Sequence, residues 1–176
     1  MKSKIVLEPH PTLRARAHKV SAEEFHTKKL ADIIATMNGA LRATDDGIGI
    51  AAPQIGVSKR IFLASEEALA IDRDEKPHDS KKGRHWKYYV FINPEIFKKS
   101  SAKNTSAEGC LSMPGKYGTV LRSEKIKIRA LDETGKPFEQ GASGLFARLL
   151  QHEVDHLEGI LFIDKAKKIT SPKKHP

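Results

Sequence analysis

The sequence is short of sulfur, of aromatic rings and of long apolar runs. One cysteine, Cys110, stands among 176 residues, which excludes an intrachain disulfide. A chain of this length can bury enough core to hold together by packing alone, and a reducing compartment suits it. Aromatic residues make up only 6% of the chain, and no basic stretch is interleaved with rings that would stack on bases. Specific nucleic-acid recognition is therefore not expected. Near the N-terminus the apolar run Ile5-Val-Leu7 gives way at once to Glu8 and Pro9, so neither a signal peptide nor a membrane span is expected there. No internal repeat is visible. Acidic residues are in deficit, leaving a net charge of +9. That balance suits polyanionic neighbours such as the ribosome surface, although much of it sits in Lys81-Lys-Gly-Arg84 and in the tail after Asp164, which read as solvated segments. The simplest expectation is a soluble, cytoplasmic monomer with one domain over residues 1–164 and a disordered basic tail over 165–176.

What is present is organised around Gly144 to Gly159, an apolar stretch that carries His152, Glu153 and His156. Its composition predicts a buried helix, capped by the Ser143 hydroxyl and closed by Gly159 in the left-handed conformation. At helical spacing His152 and His156 project from one side, in line with Leu145 and Leu149, with Glu153 beside them. Two imidazoles and a carboxylate in an apolar helix need a compensating partner. The pattern His-Glu-x-x-His suits a metal ion with a carboxylate next to the water it carries, and two core histidines bonded to carbonyls are the other reading of the same string.

Elsewhere, Ser21-Ala-Glu-Glu24 is a capping box, and Leu30, Ile33, Ile34, Met37 and Leu41 follow it at helical spacing, which predicts an amphipathic helix. Residues 4–20 read as an extended arm. Gly47-Ile-Gly-Ile-Ala-Ala-Pro-Gln54 suits an edge of backbone that something approaches closely, or a tight turn packed with small residues. Strands are expected over 57–64, over 88–92 with a turn at Asn93-Pro94 and a return over 95–103, and over 160–163. Residues 65–87 read as a long charged surface excursion without periodicity. From Thr119 to Leu131 the chain alternates, with Ile126, Ile128 and Ala130 on one face and Lys125, Lys127 and Arg129 on the other, and Asp132-Glu-Thr-Gly135 closes a hairpin to Lys136-Pro-Phe-Glu-Gln140. Glu108-Gly-Cys-Leu-Ser-Met-Pro114 holds the lone thiol between a glycine and a proline. Alone, Cys110 reads equally well as a small buried hydrophobe.

Together and in this order, the segments Gly-x-Gly-x-Ala-Ala-x-Gln, Glu-Gly-Cys-Leu-Ser and Gln-His-Glu-x-Asp-His resemble those of peptide deformylase. The likeness runs from about the first helix to Asp164. It implies an α+β fold in which antiparallel sheets pack around a central buried helix, with an amphipathic helix N-terminal to them. It also implies removal of the N-formyl group from the formyl-methionine of newly synthesised proteins, releasing formate. Cys110, His152 and His156 would hold one divalent metal ion, often Fe(II) in the family, with Zn(II), Ni(II) or Co(II) able to replace it. Three protein ligands leave a tetrahedral position for water, as catalytic sites do, and thiolate and imidazole accept all four metals.

In that reading Glu153 moves the proton of a water activated by the metal, and Gln54 and the Leu111 amide face the developing oxyanion. Ile48, Gly49, Gly109, Leu145, Arg148 and Leu149 would hold the peptide, Arg148 at the rim. Asp155 would orient a ligand histidine or pair with a basic residue. The chain departs from the family in its longer excursion, in Gly115-Lys-Tyr117 where some members place an arginine, and in a brief tail where some bacterial members carry a long helix. A zinc endopeptidase is the nearest rival, but such enzymes take a third ligand downstream, where this chain has only Glu158 and His175. A basic RNA-binding module with a core histidine helix is the rival of another class.

Overall fold

The computed structural model describes residues 5–44, 47–73 and 87–171. From Ile5 an arm runs over the body, with a single turn of helix, α1 (Pro11–Arg14). The Val6 amide donates to the Gln54 carbonyl at 2.9 Å and the Glu8 amide to the Ser112 carbonyl at 3.0 Å, so the arm laces two motif segments together. The capping box forms, with the Ser21 amide donating to Glu24 Oε2 at 3.0 Å, but it closes only a 3₁₀ turn over Ala22–Glu24. His26, at φ 61°, breaks the path. The amphipathic helix α2 (Lys28–Arg42) starts after it, capped by the Thr27 hydroxyl, and buries Leu30, Met37 and Leu41.

The strands follow as β1 (Gly49–Ala51), β2 (Ile61–Ser65), β3 (Tyr88–Lys99), β4 (Lys103–Gly109), β5 (Tyr117–Ser123), β6 (Lys125–Leu131), β7 (Pro137–Ser143) and β8 (Ile169–Thr170). A five-stranded antiparallel sheet has the order β1-β2-β3-β6-β7, and a three-stranded one the order β4-β5-β8. Between β2 and β3 a short helix, α3 (Glu67–Asp72), occupies the start of the excursion that was expected to be irregular. Residues 74–86 lie outside the described part.

Helix α4 (Gly144–Leu157) packs against strands of both sheets. Phe146, Leu150 and Leu157 are at most 2% exposed, each worth roughly 1.5–3 kcal/mol relative to exposure. An α+β fold with antiparallel sheets around this helix is therefore observed.

Several local expectations change. Asn93-Pro94 does not reverse the chain: the Asn93 side chain accepts from the Val20 amide at 2.9 Å and donates to its carbonyl at 2.8 Å. Held this way at φ 51°, it makes an irregularity inside the continuous strand β3. The alternating run breaks at Glu124, and its halves enter different sheets. Strand β2 starts at Ile61, because Val57 to Lys59 form a tight turn. Ile160–Ile163 is not a strand: the Leu161 amide donates to Asp164 Oδ2 at 2.8 Å and a 3₁₀ turn follows over Phe162–Asp164. The start of the tail pairs with the smaller sheet, Ile169 and Thr170 lying opposite Gly118 and Tyr117; residues 172–176 lie outside the described part. Among the described residues no helix is long and apolar enough to cross a membrane.

Candidate metal centre

Strand β4 delivers Cys110 just past its end, and the last two turns of α4 deliver His152 and His156. One ligand atom from each lies within 4.8 Å of the others. Cys110 Sγ and His156 Nε2 are 3.3 Å apart, close to the separation of about 3.5 Å between donors in a tetrahedron of ordinary metal–S and metal–N bonds. The donor set thus fits a divalent cation of borderline softness.

Glu108 organises the surroundings. Its Oε2 accepts from His152 Nδ1 at 3.0 Å, which leaves His152 Nε2 to face the site, where a cation would take the place of a proton. The same carboxylate accepts two bonds from Arg122, each 2.8 Å, and one from Arg148 Nη1 at 2.8 Å. Asp155 takes the second role foreseen for it, bonding Arg122 at 2.5 Å and Lys165 at 2.6 Å. Arg148 is not at a rim. It is 7% exposed, and besides Glu108 it bonds the Val120 and Asn104 carbonyls, because a buried guanidinium needs acceptors on all sides. Sequence reasoning assigned Glu108 no role. The available signal was strand alternation, which puts residues 108 and 110 on one face, and helix spacing, which puts Arg148 one turn before His152.

Burial alone would raise the Glu108 carboxyl, but the bonds from Arg122 and His152 outweigh it and hold the group well below the usual carboxylate range. Burial opposes charge on both histidines. In His152 the neighbouring Cys110 and Glu108 overcome it and hold the imidazole up to about 10, whereas burial and the charge on His152 keep His156 well below its ordinary value. Burial pushes Glu153 up to about 7.

Glu153 is 2% exposed, and its Oε2 has no hydrogen-bond partner. Gly49 lies so close that a Cβ there would sit 2.5 Å from Glu153 Oε1. Gln54 Oε1 accepts from the Ala51 amide at 2.8 Å, so its NH₂ must face the other way, and Nε2 lies 3.4 Å from Cys110 Sγ and 3.3 Å from Ser112 Oγ. Ser112, 1% exposed, is a second site residue that sequence reasoning passed over. Gln54 and Glu153, with Cys110 and His152, line a cleft of about 400 Å³. Ile48, Gly49, Gly109, Leu111, Leu145, Arg148 and Leu149 all line it, joined by Lys116 and Tyr117.

A structural metal site closes its coordination with protein ligands, whereas three donors beside an unpartnered buried carboxylate in an open cleft suit the activation of water. The class so defined is that of metal-dependent hydrolases. The family model for polypeptide deformylase matches residues 2–172. A peptide deformylase of Rhizorhabdus wittichii is 42% identical over 172 residues, covering 96% of this chain and 89% of that protein. One from Prochlorococcus marinus (strain NATL1A) is 42% identical over 154 residues, covering 87% and 67%. Among solved structures, the class I type b peptide deformylase of Acinetobacter baumannii with Met-Ala-Ser bound superposes with a TM-score of 0.78 at 34% identity, covering 92% of this chain and 96% of that one. A peptide deformylase from Legionella pneumophila gives 0.77 at 38% identity, covering 98% and 88%. The chain belongs to the polypeptide deformylase family, enzymes that remove the N-formyl group from nascent polypeptides.

Proposed function

We propose that Cys110, His152 and His156 hold one divalent cation, and that around it this chain hydrolyses the N-terminal formamide of formyl-methionyl peptides. The observation that carries the reading is the cluster of these three donors, two of which, Cys110 and His152, line one cleft with Glu153 and Gln54, from segments far apart in sequence. When bound, such a cation makes a water acidic enough to supply hydroxide near neutral pH. Glu153 accepts the proton of that water and passes it to the departing amine. The Gln54 NH₂ and the Leu111 amide stabilise the oxygen of the formyl group as it gains charge. Glu108 holds His152 in the tautomer and orientation a ligand needs.

Strands β1 and β4 are both sheet edges, which leaves each with unpaired backbone groups for an extended peptide to add to. A first side chain between Ile48, Leu145 and Leu149 meets an apolar wall, and an unbranched methionine fills such irregular space well. Fe(II) is the proposed resident ion, exchangeable with Zn(II), Ni(II) or Co(II), since one thiolate and two imidazoles accept each of them. Action on nascent chains in the cytoplasm, by a monomer drawn to the ribosome surface through its net positive charge, completes the proposal.

The test is formate, acetate and fragment release from formyl-Met, acetyl-Met and unblocked peptides of one sequence, using metal-loaded protein. Formate release alone is expected. Donors on Gln54 and Leu111 leave the carbonyl carbon room for hydrogen, and displacement of about 1 Å by a methyl group costs about 10²-fold. Comparable acetate release, or internal cleavage, would replace this reading with a broader amidase or peptidase.

A further inference from the structure

The charged excursion between β2 and β3 reaches the start of α4. Its ends are tied at a neck, where the Glu66 amide donates to the Lys87 carbonyl and the Lys87 amide to Glu66 Oε1, both at 3.0 Å. From this neck α3 carries Asp72 to the first turn of α4. There Oδ1 accepts from the Leu145 amide at 2.7 Å and Oδ2 from the Phe146 amide at 3.0 Å. Ser143, the residue next to the helix, makes no side-chain cap. A carboxylate from 73 residues away thus satisfies two of the orphan amides and opposes the positive end of the helix dipole. Gly144 is shaped to this contact: it sits at φ +58°, and a Cβ on it would lie 2.5 Å from Asp72 Oδ1.

The two amides belong to residues with different surroundings. Phe146 is buried at 2% exposure and stands edge-on to Tyr89 at 6.2 Å, while Leu145 lines the cleft beside Ile48 and Leu149. His152 lies two turns further along, with Glu153 next to it, and has its own anchor in Glu108. The first turn of α4 can therefore be displaced without moving the reacting groups.

We infer that Asp72 is a positioning residue for substrate selectivity: by holding the Leu145 and Phe146 amides it fixes the Leu145 wall of the pocket that takes the peptide's first side chain. The inference rests on the deformylase reading for the occupant of that pocket. Asp72 touches no reacting atom, so its removal acts on binding of a large first side chain and leaves the chemical step alone.

The test compares metal-loaded wild type, Asp72→Asn and Asp72→Ala on formyl-Met and formyl-Ala peptides of otherwise one sequence. In the alanine variant KM for formyl-Met should rise about fivefold, within the range a lost helix cap allows, with kcat within about twofold of wild type and KM for formyl-Ala unchanged. The asparagine variant keeps one acceptor and should fall between the two. Amide hydrogen exchange at Leu145 and Phe146 should accelerate in the same order. A drop in thermal stability with an unmoved formyl-Met to formyl-Ala KM ratio would reduce Asp72 to a plain helix cap and overturn the inference, as would an equal fall of kcat on both peptides. If the alanine variant does not fold, the asparagine variant decides by the same ratio. A wild type inert on both peptides would overturn the deformylase reading and this inference together, whereas an active wild type with an unmoved ratio in the variants overturns the inference alone.

Discussion

His152 Nδ1 donates to Glu108 Oε2 at 3.0 Å, and this bond joins the candidate metal centre to a buried ion network that continues through Arg122 and Asp155 to Lys165. The carboxylate at its centre does two jobs: it neutralises two buried guanidinium groups, and it aims a ligand nitrogen.

Glu108→Gln should therefore weaken both fold and metal binding. Removing one partner of a buried ion pair costs about 3–5 kcal/mol, and losing the group that orients a ligand histidine costs about 10–100-fold in metal affinity. The sign of the pH dependence follows from the low folded-state pKa of Glu108. Its stabilising contribution is fully present above the unfolded carboxyl value of about 4.3 and is lost as pH falls from there toward the folded value. Urea denaturation of metal-stripped wild type and variant should show a gap that narrows as pH falls from about 5 toward 3. A gap unchanged down to pH 3 would mean that Glu108 is not held charged by this network.

Glu153→Gln should keep stoichiometric metal and lose about 10²–10⁴-fold in turnover, the usual worth of general acid–base assistance. Metal content and kcat measured on one preparation decide the point. The amide is nearly isosteric, so a variant that turns over normally would leave Glu153 without a chemical role.

The sequence shows the site far better than it shows the supports of the site. Ile126, Ile128 and Ala130 alternate with exposed cations, and the strand they predict is observed, because a half-buried strand writes its period directly into the chain. The three motifs likewise converge as expected. What local reading misses is supplied from a distance. Ser143 looks like the cap of α4, but Asp72 provides it. Asn93-Pro94 looks like a turn until Val20 occupies the asparagine side chain. Arg148 looks like a surface cation on a helix, and its burial is explained by Glu108 together with the Val120 and Asn104 carbonyls. Ile160 to Ile163 is too short an apolar run to carry a period, so a turn and a strand are indistinguishable in it.

Cys110→Ala should remove stoichiometric metal, and with it activity, while the fold persists. Two histidines alone make a weak site, and Cys110 is partly exposed at the end of β4, so little packing is lost. Metal analysis after dialysis and circular dichroism of the same sample separate loss of the ion from loss of the fold. Retention of one ion per chain at unchanged affinity would remove Cys110 from the ligand set.

Gly49→Ala should impair turnover by crowding Glu153 rather than by changing any charge. Gly49 lies within β1, paired with Ala64, where alanine is compatible with the extended backbone. The obstacle is space, since the new Cβ would stand 2.5 Å from Glu153 Oε1 and 2.6 Å from Leu149 Cδ1. Glu153 has no hydrogen bond at Oε2 to resist displacement, and at 2% exposure it has no solvent to swing into, so it must shift within the site. A misplacement of about 1 Å in a catalytic group costs about 10²-fold, and kcat should fall by that order while metal content stays at the wild-type level. The double variant Gly49→Ala/Glu153→Gln sharpens the test. If the alanine acts through Glu153, the double variant should turn over no more slowly than Glu153→Gln alone, because the two changes remove the same contribution. Additive losses would place the effect of Gly49 elsewhere, on peptide pairing along the β1 edge.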